Sequence, residues 1–193
     1  MRFGRIGIMK NPWKTLSSKT VYQNPWITVR EDQVIHPDGK QGIYGVVESK
    51  PSIGIVAVTN ENKIIFIELV RYTNQIPSIE IPAGGSDGED IILAAKRELK
   101  EETGYTANKL KVIGKYYPMN GIFSEICYTI IATGLNKLLD NEQREEGITK
   151  VYELSFGEVL EKINNGEITD GQTIASLMQA FNYLKIIYKQ DNI

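Results

Sequence analysis

The sequence is poor in the residues that build disulfides and zinc sites. It has one cysteine, Cys127, and one histidine, His36, among 193 residues. A single cysteine excludes an internal disulfide and fits a reducing compartment, so we expect a cytoplasmic protein. Zinc sites draw mostly on Cys and His ligands, so the usual kind of zinc site is excluded. Cys127 lies in an apolar, strand-like run and is interpreted as a small core residue.

Long hydrophobic runs and an excess of one charge are also missing. The longest apolar runs, such as residues 64–70, are too short to span a bilayer. The N-terminal segment lacks the sustained hydrophobic region of a signal peptide. Lys and Arg number 22 against 24 Asp and Glu, a formal net charge of −2, which does not favour nucleic-acid binding. We therefore expect a protein that binds neither membranes nor nucleic acids.

The hydrophobic pattern predicts strands, then one helix, then more strands and two closing helices. Residues 1–18 are predicted to be irregular, and residues 27–35 and 43–48 to form a hairpin. The remaining predicted strands cover residues 52–59, 63–71, 78–81, 111–117, 126–133 and 151–154, and residues 135–147 are predicted to form an acidic loop. This order predicts an α+β fold with a mixed sheet covered by helices on both faces.

The closing helices carry start signals. Ser155 and Glu158 have the spacing of a capping box, with Gly166 as the expected end of that helix. Asp170 is the expected cap of the last helix. Apolar residues recur at helical spacing along this last helix and predict a core-facing stripe. The stripe consists of Ile174, Leu177, Met178, Phe181, Leu184 and Ile187.

The helix predicted over residues 88–103 carries a cluster of glutamates at an unfavourable place. Glu98, Glu101 and Glu102 fall on one face, because residues three and four apart are neighbours on a helix. Each like-charge pair costs roughly 0.2–0.5 kcal/mol. The expected C-terminal cap, Gly104, puts these carboxylates where the helix dipole favours cations.

Two interpretations of this cluster compete. In the first it is a solvated face on which Arg97 pairs with Glu101. In the second a hard divalent cation offsets the charge, since Mg²⁺ takes oxygen ligands and substrate phosphate oxygens. We favour the second, because the preceding loop, residues 80–90, contains three glycines that let the backbone approach a ligand closely.

The residues from Glu89 onward resemble the box of the Nudix hydrolase family. Seven residues separate Glu89 from Arg97 and Glu98, as in the pattern G-x5-E-x7-R-E-U-x-E-E-x-G-U, in which U is a bulky apolar residue. Two positions depart from it. Tyr105 occupies the last apolar position, and Ala83 stands where the first glycine is expected, with Gly84 one residue too close. The glycine loop is therefore one residue shorter than the family pattern.

The resemblance implies a fold and a domain organisation. It implies a Nudix-type α/β/α sandwich over residues 50–193, preceded by a small β-hairpin subdomain over residues 1–49. Segments outside the box are similar to the ADP-ribose pyrophosphatase branch, notably residues 81–84 and 166–170. Members of that branch often pair through N-terminal strands, so the resemblance also implies a homodimer.

The resemblance further implies the catalytic residues and a metal cofactor, Mg²⁺ with Mn²⁺ as an alternative. Glu98, Glu101 and Glu102 are the expected metal ligands, and the main-chain carbonyl of Ala83 completes the site. Arg97 is expected to orient a glutamate through a bidentate pair. Glu146 is the expected general base and a further metal ligand, and Glu145 and Glu142 are the alternatives for the base.

The expected substrate is a small nucleotide, ADP-ribose, cleaved to AMP and ribose 5-phosphate. The alternatives are another nucleotide, such as a nucleoside triphosphate, nucleotide sugar or dinucleotide, and a non-catalytic nucleotide-binding module, against which the retained glutamates argue. The branch usually has a further arginine after Arg71, where this sequence has Tyr72 and Asn74. The expected substrate-binding residues are Trp26, which either stacks on a base or packs in a core, and Arg71, Glu80 and Glu125.

Overall fold

A computed structural model describes residues 10–138 and 147–185 of the chain. Its contacts divide the chain into two compact units. The first unit contains residues 1–49 and 119–124. The second unit contains residues 50–118 and 125–193. The short segment 119–124 thus belongs to the first unit although the chain around it belongs to the second.

The first unit is built on a three-stranded antiparallel sheet. Its strands are β1 (Lys14–Gln23), β2 (Ile27–Ile35) and β3 (Gln41–Ser49), in that order. The predicted hairpin of β2 and β3 is confirmed. The prediction of irregular structure up to residue 18 is wrong, because β1 begins at Lys14. Every residue of β1 is exposed, so the strand has no buried face to create an alternating apolar pattern, and its pairing with β2 defines it.

The second unit is built on a seven-stranded mixed sheet. Its strands are β4 (Ser52–Val58), β5 (Lys63–Val70), β6 (Pro77–Glu80), β7 (Ala83–Gly85), β8 (Tyr105–Tyr116), β9 (Cys127–Lys137) and β10 (Ile148–Ser155). The order is β10-β5-β4-β9-β8, with β6 beside β5 and β7 beside β4. Strands β4 and β9 pair in parallel and the other pairs are antiparallel, so the predicted mixed sheet is confirmed.

Three helices complete this unit: α1 (Ile91–Thr103), α2 (Phe156–Asn164) and α3 (Gly171–Tyr183). Helix α1 begins later than predicted, because the Asp90 side chain accepts the amides of Ile92 and Leu93 and caps the helix there. The capping box of Ser155 and Glu158 is confirmed, as is the cap at Asp170. Helix α2 ends at Asn164, two residues before the predicted Gly166.

The core lies on both faces of the seven-stranded sheet. Alternate residues of β4 pack on opposite faces of the sheet. Ile53 and Ile55 belong to one buried cluster together with Leu99 of α1. Val56 packs in a second cluster with Phe181 of α3. Full burial of β4 on both faces explains why its sequence is a continuous apolar run. The predicted α/β/α sandwich is confirmed.

Several boundaries and one core assignment differ from prediction. Strand β8 starts directly after the helix cap, and β9 extends to Lys137 into the predicted acidic loop. These extensions carry polar and charged residues, so their mutual pairing rather than an apolar pattern creates them. Met178 is 56% exposed and is not a core residue, whereas Leu177 and Phe181 are buried. Ile187 lies outside the described residues.

Cys127 is fully buried, which confirms its interpretation as a core residue. Within the described part of the chain, none of the helices is long and apolar enough to cross a membrane.

Candidate active site

Helix α1 presents two of its three glutamates as buried groups. Glu98 is 5% exposed and Glu102 is 2% exposed, whereas the Glu101 side chain is 40% exposed. Gly104 ends the helix in the left-handed conformation, with φ of 70°, as predicted. A solvated face would not bury Glu98 and Glu102, because burying a carboxylate is costly unless other groups offset its charge. The first interpretation of the cluster is therefore wrong for these two residues.

Arg97 is the cation at the centre of this cluster. Its Nη1 donates to Glu98 Oε1 at 2.8 Å and to Glu101 Oε2 at 3.1 Å. Its Nε donates to Glu89 Oε2 at 3.2 Å, and its Nη2 donates to the Gly85 carbonyl at 3.2 Å. The guanidinium therefore links three glutamates, rather than forming the predicted bidentate pair with one. This shared position explains why Glu89 and Arg97 recur at a fixed separation in the box.

The charges around Arg97 also shift its pKa. Partial burial opposes its charged form, but the charge of Glu98 and the hydrogen bonds to Glu89, Glu101 and Glu98 outweigh that effect and raise the pKa of Arg97. The guanidinium is thus held permanently positive and cannot act as a proton donor in the neutral pH range.

The backbone of β7 lies against the two buried glutamates. The Ala83 amide donates to Glu102 Oε2 at 2.7 Å. A Cβ added to Gly84 would lie 2.3 Å from Oε1 and 2.6 Å from Oε2 of Glu98. Only a glycine leaves room for that carboxylate at this position. Gly84, displaced by one residue from the family pattern, therefore supplies the close backbone approach that the box glycine was expected to provide.

The shortened glycine loop closes through a tight turn. Asp87 and Gly88 both have positive φ, 50° and 89°, and the Glu89 amide donates to the Ser86 carbonyl at 2.7 Å. Two central residues with positive φ and this hydrogen bond are the features of a type I′ turn, for which Asp-Gly is a favoured pair. The turn brings Glu89 to Arg97 with one residue fewer. The Lys50 Nζ also donates to the Asp87 carbonyl at 3.0 Å.

The carboxylate oxygens of this cluster are suited to a hard divalent cation. In this structure Arg97 and the Ala83 amide contact them. Within residues 10–138 and 147–185, no three acidic, histidine or cysteine side chains are arranged as a ligand set. The donor type is nevertheless right, because carboxylate oxygens are the ligands that Mg²⁺ takes. Glu89, Glu98 and Glu101 each accept a hydrogen bond from the Arg97 guanidinium, so three carboxylates lie around this one cation.

A polar cleft of about 450 Å³ adjoins these glutamates. Its walls include Ala83 and Gly84, whose backbone contacts Glu102 and Glu98. The predicted residues Arg71 and Glu80 also line it. Its remaining lining residues are Ser52, Thr73, Asn74, Ser78, Thr169, Asp170, Gly171 and Gln172.

Arg71 and Glu80 form a two-point ion pair in the wall of the cleft. The Arg71 Nε donates to Glu80 Oε1 at 2.9 Å, and its Nη2 donates to Glu80 Oε2. Glu80 is 3% exposed. The hydrogen bonds that Arg71 donates to Glu80 raise the pKa of Arg71 against the effect of its own burial, and the charges of Glu80, Glu102 and Asp170 add to the rise. Arg71 is therefore close to both the glutamates of α1 and the cap of α3.

The other predicted site residues are not placed in the cleft. Glu125 is half-buried and is not among the described lining residues. Trp26 belongs to the first unit and is 72% exposed, so the core-packing alternative is wrong for the described residues. Glu142, Glu145 and Glu146 lie outside the described residues.

Sequence reasoning missed a network behind the cleft. The Gln172 Nε2 donates to Cys127 Sγ at 3.1 Å and to the Ser52 Oγ at 3.5 Å. The Tyr116 hydroxyl donates to the Gln172 carbonyl at 3.0 Å and lies 3.1 Å from Ser176 Oγ. Burial raises the pKa of Cys127, as it does that of Tyr116, so both groups stay protonated at neutral pH. No local motif joins these distant residues, so no sequence signal was available.

Two known protein-family models together match residues 13–175 of the chain. Residues 48–175 match the NUDIX domain, and residues 13–47 match the nucleoside diphosphate sugar hydrolase N-terminal domain. The chain belongs to the NUDIX family. The recognition of the family is therefore confirmed. NUDIX hydrolases as a class use divalent metal cations, which agrees with the carboxylate cluster of this site.

Individual relatives of the chain carry several names. An ADP-ribose pyrophosphatase of Bacillus subtilis (strain 168) is 31% identical over 90% of this chain and 92% of its own length. A methanol dehydrogenase activator of Bacillus methanolicus is 30% identical over 85% of this chain and 90% of its own. A solved ADP compounds hydrolase shares the fold with a TM-score of 0.77, at 21% identity over 90% and 94% of the two chains. This NUDIX protein is a pyrophosphohydrolase related to ADP-ribose pyrophosphatases.

Proposed function

We propose that this NUDIX protein hydrolyses the diphosphate of ADP-ribose to AMP and ribose 5-phosphate with Mg²⁺ bound. The observation that carries the proposal is the position of Glu98 and Glu102, two buried carboxylates held against the backbone of β7 where it borders the cleft. One side of β7 thus holds hard metal ligands, and the adjoining cleft has room for one half of a substrate. The similarity to the Bacillus subtilis enzyme supports the choice of ADP-ribose.

The residues of the chain have distinct roles in the proposed reaction. Glu98, Glu101 and Glu102, with the main-chain carbonyl of Ala83, hold the metal. A bound Mg²⁺, or Mn²⁺ in its place, supplies charge neutralisation of the diphosphate and activation of water. Arg97 keeps Glu98 and Glu101 in place through its shared hydrogen bonds. Hydrolysis breaks one P–O bond of the diphosphate bridge, and the oxygen of water ends on one of the two phosphates.

Glu146 remains the proposed general base and a further metal ligand. It precedes Ile148 by two residues, and Ile148 pairs with Leu69, two positions before Arg71 of the cleft. Glu145 and Glu142, in the same acidic segment, are the alternatives for the base.

Four further residues are proposed to bind substrate. Arg71, which lines the cleft, is proposed to contact a phosphate or ribose, and Glu80, which pairs with it, a hydroxyl or an outer metal ion. Glu125 is proposed to contact a hydroxyl or a second metal ion. Trp26 is proposed to stack on the base, since its exposed indole is available to a ligand.

A second candidate substrate is a nucleoside diphosphate sugar other than ADP-ribose. The match of residues 13–47 to the N-terminal domain of nucleoside diphosphate sugar hydrolases favours it. The chemistry and its residues would be unchanged, because only the group beyond the diphosphate differs.

A substrate panel with Mg²⁺ and then Mn²⁺ tests the proposal. It contains ADP-ribose, nucleotide sugars, dinucleotides and nucleoside triphosphates, and chromatography identifies the products. AMP and ribose 5-phosphate from ADP-ribose, lost in Glu102→Gln, are the expected result. Preferred cleavage of another nucleotide overturns the choice of ADP-ribose, and an absence of cleavage with both metals overturns the whole proposal. Lys100→Gln, an exposed change on the same helix, is the matched control.

A further inference from the structure

The lining of the cleft beside β7 contains more acidic than basic side chains. Its charged lining residues in the described chain are Arg71, Glu80 and Asp170. Two donors of the Arg71 guanidinium already bond Glu80. The same two donors therefore cannot form a bidentate contact with a phosphate. Asp170 then leaves the lining with one carboxylate in excess. An anionic group entering this cleft would meet a lining of net negative charge, in which only the Arg71 donors that do not bond Glu80 could bind it.

The uncharged part of the lining is suited to hydroxyl groups. Ser52, Thr73, Asn74, Ser78, Thr169 and Gln172 are its uncharged polar side chains. Hydroxyl and amide groups both donate and accept hydrogen bonds, as the hydroxyls of a sugar do. None of the described lining residues is aromatic, so a nucleobase would have no ring to stack on inside the cleft.

Asp170 is placed to act on a ligand while it supports the fold. Its Oδ2 accepts the Thr173 amide at 2.7 Å and caps α3, and the residue as a whole stays partly exposed at the edge of the cleft. A carboxylate can accept several hydrogen bonds at once, so the cap leaves capacity for hydroxyl groups. Its charge adds to that of Glu80 in the lining of the cleft.

We propose that this cleft binds the uncharged, hydroxyl-rich group beyond the diphosphate, and that Asp170 selects it against anionic groups such as a terminal phosphate. The proposal deepens the proposed hydrolase function and rests on it. It assigns the sugar half of the substrate to the cleft and the diphosphate to the neighbouring glutamates of α1. It also makes Asp170 a specificity-determining residue as well as a helix cap.

Calorimetric titration without divalent metal tests this directly, because binding is then measured and no hydrolysis intervenes. ADP-ribose and ATP are the probes, since they share the adenosine diphosphate part and differ in the group beyond it. Asp170→Asn removes the charge and preserves the cap, because Asn is as good an N-cap as Asp. Glu161→Gln, an equal charge change at an exposed position of α2, is the matched control.

The wild-type chain should bind ADP-ribose more tightly than ATP. Asp170→Asn should tighten ATP binding by about threefold or more, because one repulsive charge is removed near a partly exposed site. It should also weaken ADP-ribose binding, whereas Glu161→Gln should change neither affinity. Equal affinities in the wild type, an unchanged ratio in Asp170→Asn, or no binding of either probe would each overturn the proposal. Failure of the hydrolase function appears separately, as a lack of cleavage in the metal-loaded panel.

Discussion

The main-chain amide of Ala83 donates a hydrogen bond of 2.7 Å to Glu102 Oε2. This bond joins the short strand β7 to the last turn of α1, where the helix dipole alone would disfavour a carboxylate. The amide offsets part of that unfavourable charge, as Arg97 does for Glu98 one turn earlier. The unfavourable placement of glutamates along α1 is therefore stabilised by a backbone amide of β7 and by Arg97 of the same helix.

Gly84→Ala should inactivate the protein without unfolding it. The new methyl group would lie 2.3 Å from the Glu98 carboxylate, so that side chain must move away from its position. A displacement of about 1 Å in a catalytic group can cost roughly 100-fold, and we expect kcat/KM to fall by about that factor. Steady-state kinetics and thermal unfolding would be measured together. Gly157→Ala, where an added Cβ meets nothing within 4 Å, is the control. Normal turnover in Gly84→Ala would show that Glu98 need not be held there.

The box helix was predictable because its signal is local. The 3.6-residue period places Glu98, Glu101 and Glu102 together, and Gly104 marks the end. The role of Gly84 was not predictable from the pattern, which requires a glycine at the position of Ala83. The shorter loop closes through a type I′ turn at Asp87 and Gly88. The positive φ angles of this turn are seen only in the folded chain.

The cleft was only partly predictable, because its residues come from distant segments. Arg71 and Glu80 were expected from the resemblance, but the fold brings Ser52 of β4 and Gln172 of α3 into the same lining. Strand β1 escaped prediction for a different reason. It is exposed along its whole length, so its sequence lacks the alternation of apolar and polar residues that a half-buried strand shows.

Glu146→Gln should lower turnover by orders of magnitude while metal binding survives. A neutral amide cannot accept the proton of the attacking water, whereas the ligands on α1 are unchanged. Turnover would be followed with ADP-ribose, and metal affinity by calorimetry. Glu145→Gln and Glu142→Gln are the matched controls in the same acidic segment. Near-normal turnover of Glu146→Gln would assign the base to whichever of these two variants is inactive.

Trp26→Ala should raise the KM for ADP-ribose with little change in kcat. Stacking of an aromatic side chain on a base contributes about 1–3 kcal/mol, which corresponds to a KM increase of roughly 5- to 150-fold. Initial-rate measurements over a range of substrate concentrations would show it. Tyr22→Ala removes another exposed aromatic ring, 55% exposed, from the same unit and is the control. An unchanged KM for Trp26→Ala would rule out stacking.

The protein should be a homodimer that assembles through its first unit. This unit exposes Ile43 by 61% and Trp26 by 72%, and large apolar groups in such numbers are typical of an interface. Light scattering at micromolar concentration should give twice the mass of one chain. Ile43→Asp should dissociate it, whereas Met178→Asp, at an exposed position of the second unit, should not. A wild-type monomer would contradict the prediction.

The capping box of α2 should make stability depend on pH in the acid range. The Ser155 hydroxyl donates to Glu158 Oε2 at 2.7 Å, as does the Ser155 amide, and these hydrogen bonds lower the pKa of Glu158 below its ordinary value of 4.5. A lowered carboxylate pKa stabilises the folded state above the unfolded pKa, and the effect disappears as pH falls through the folded pKa. Glu158→Gln keeps an acceptor but no charge, so the wild type should be more stable at pH 7.

That difference should shrink as the pH falls below 4.5 and the wild-type carboxylate becomes protonated. Urea unfolding at several pH values would measure it, with the midpoint compared at constant slope. In a Ser155→Ala background, the hydroxyl donor is lost, and the effect of Glu158→Gln should shrink at every pH. A wild-type advantage that persists unchanged through the acid range would mean that the carboxylate charge does not stabilise the cap. The stability of α2 would then come from the packing of buried Val159 against the sheet.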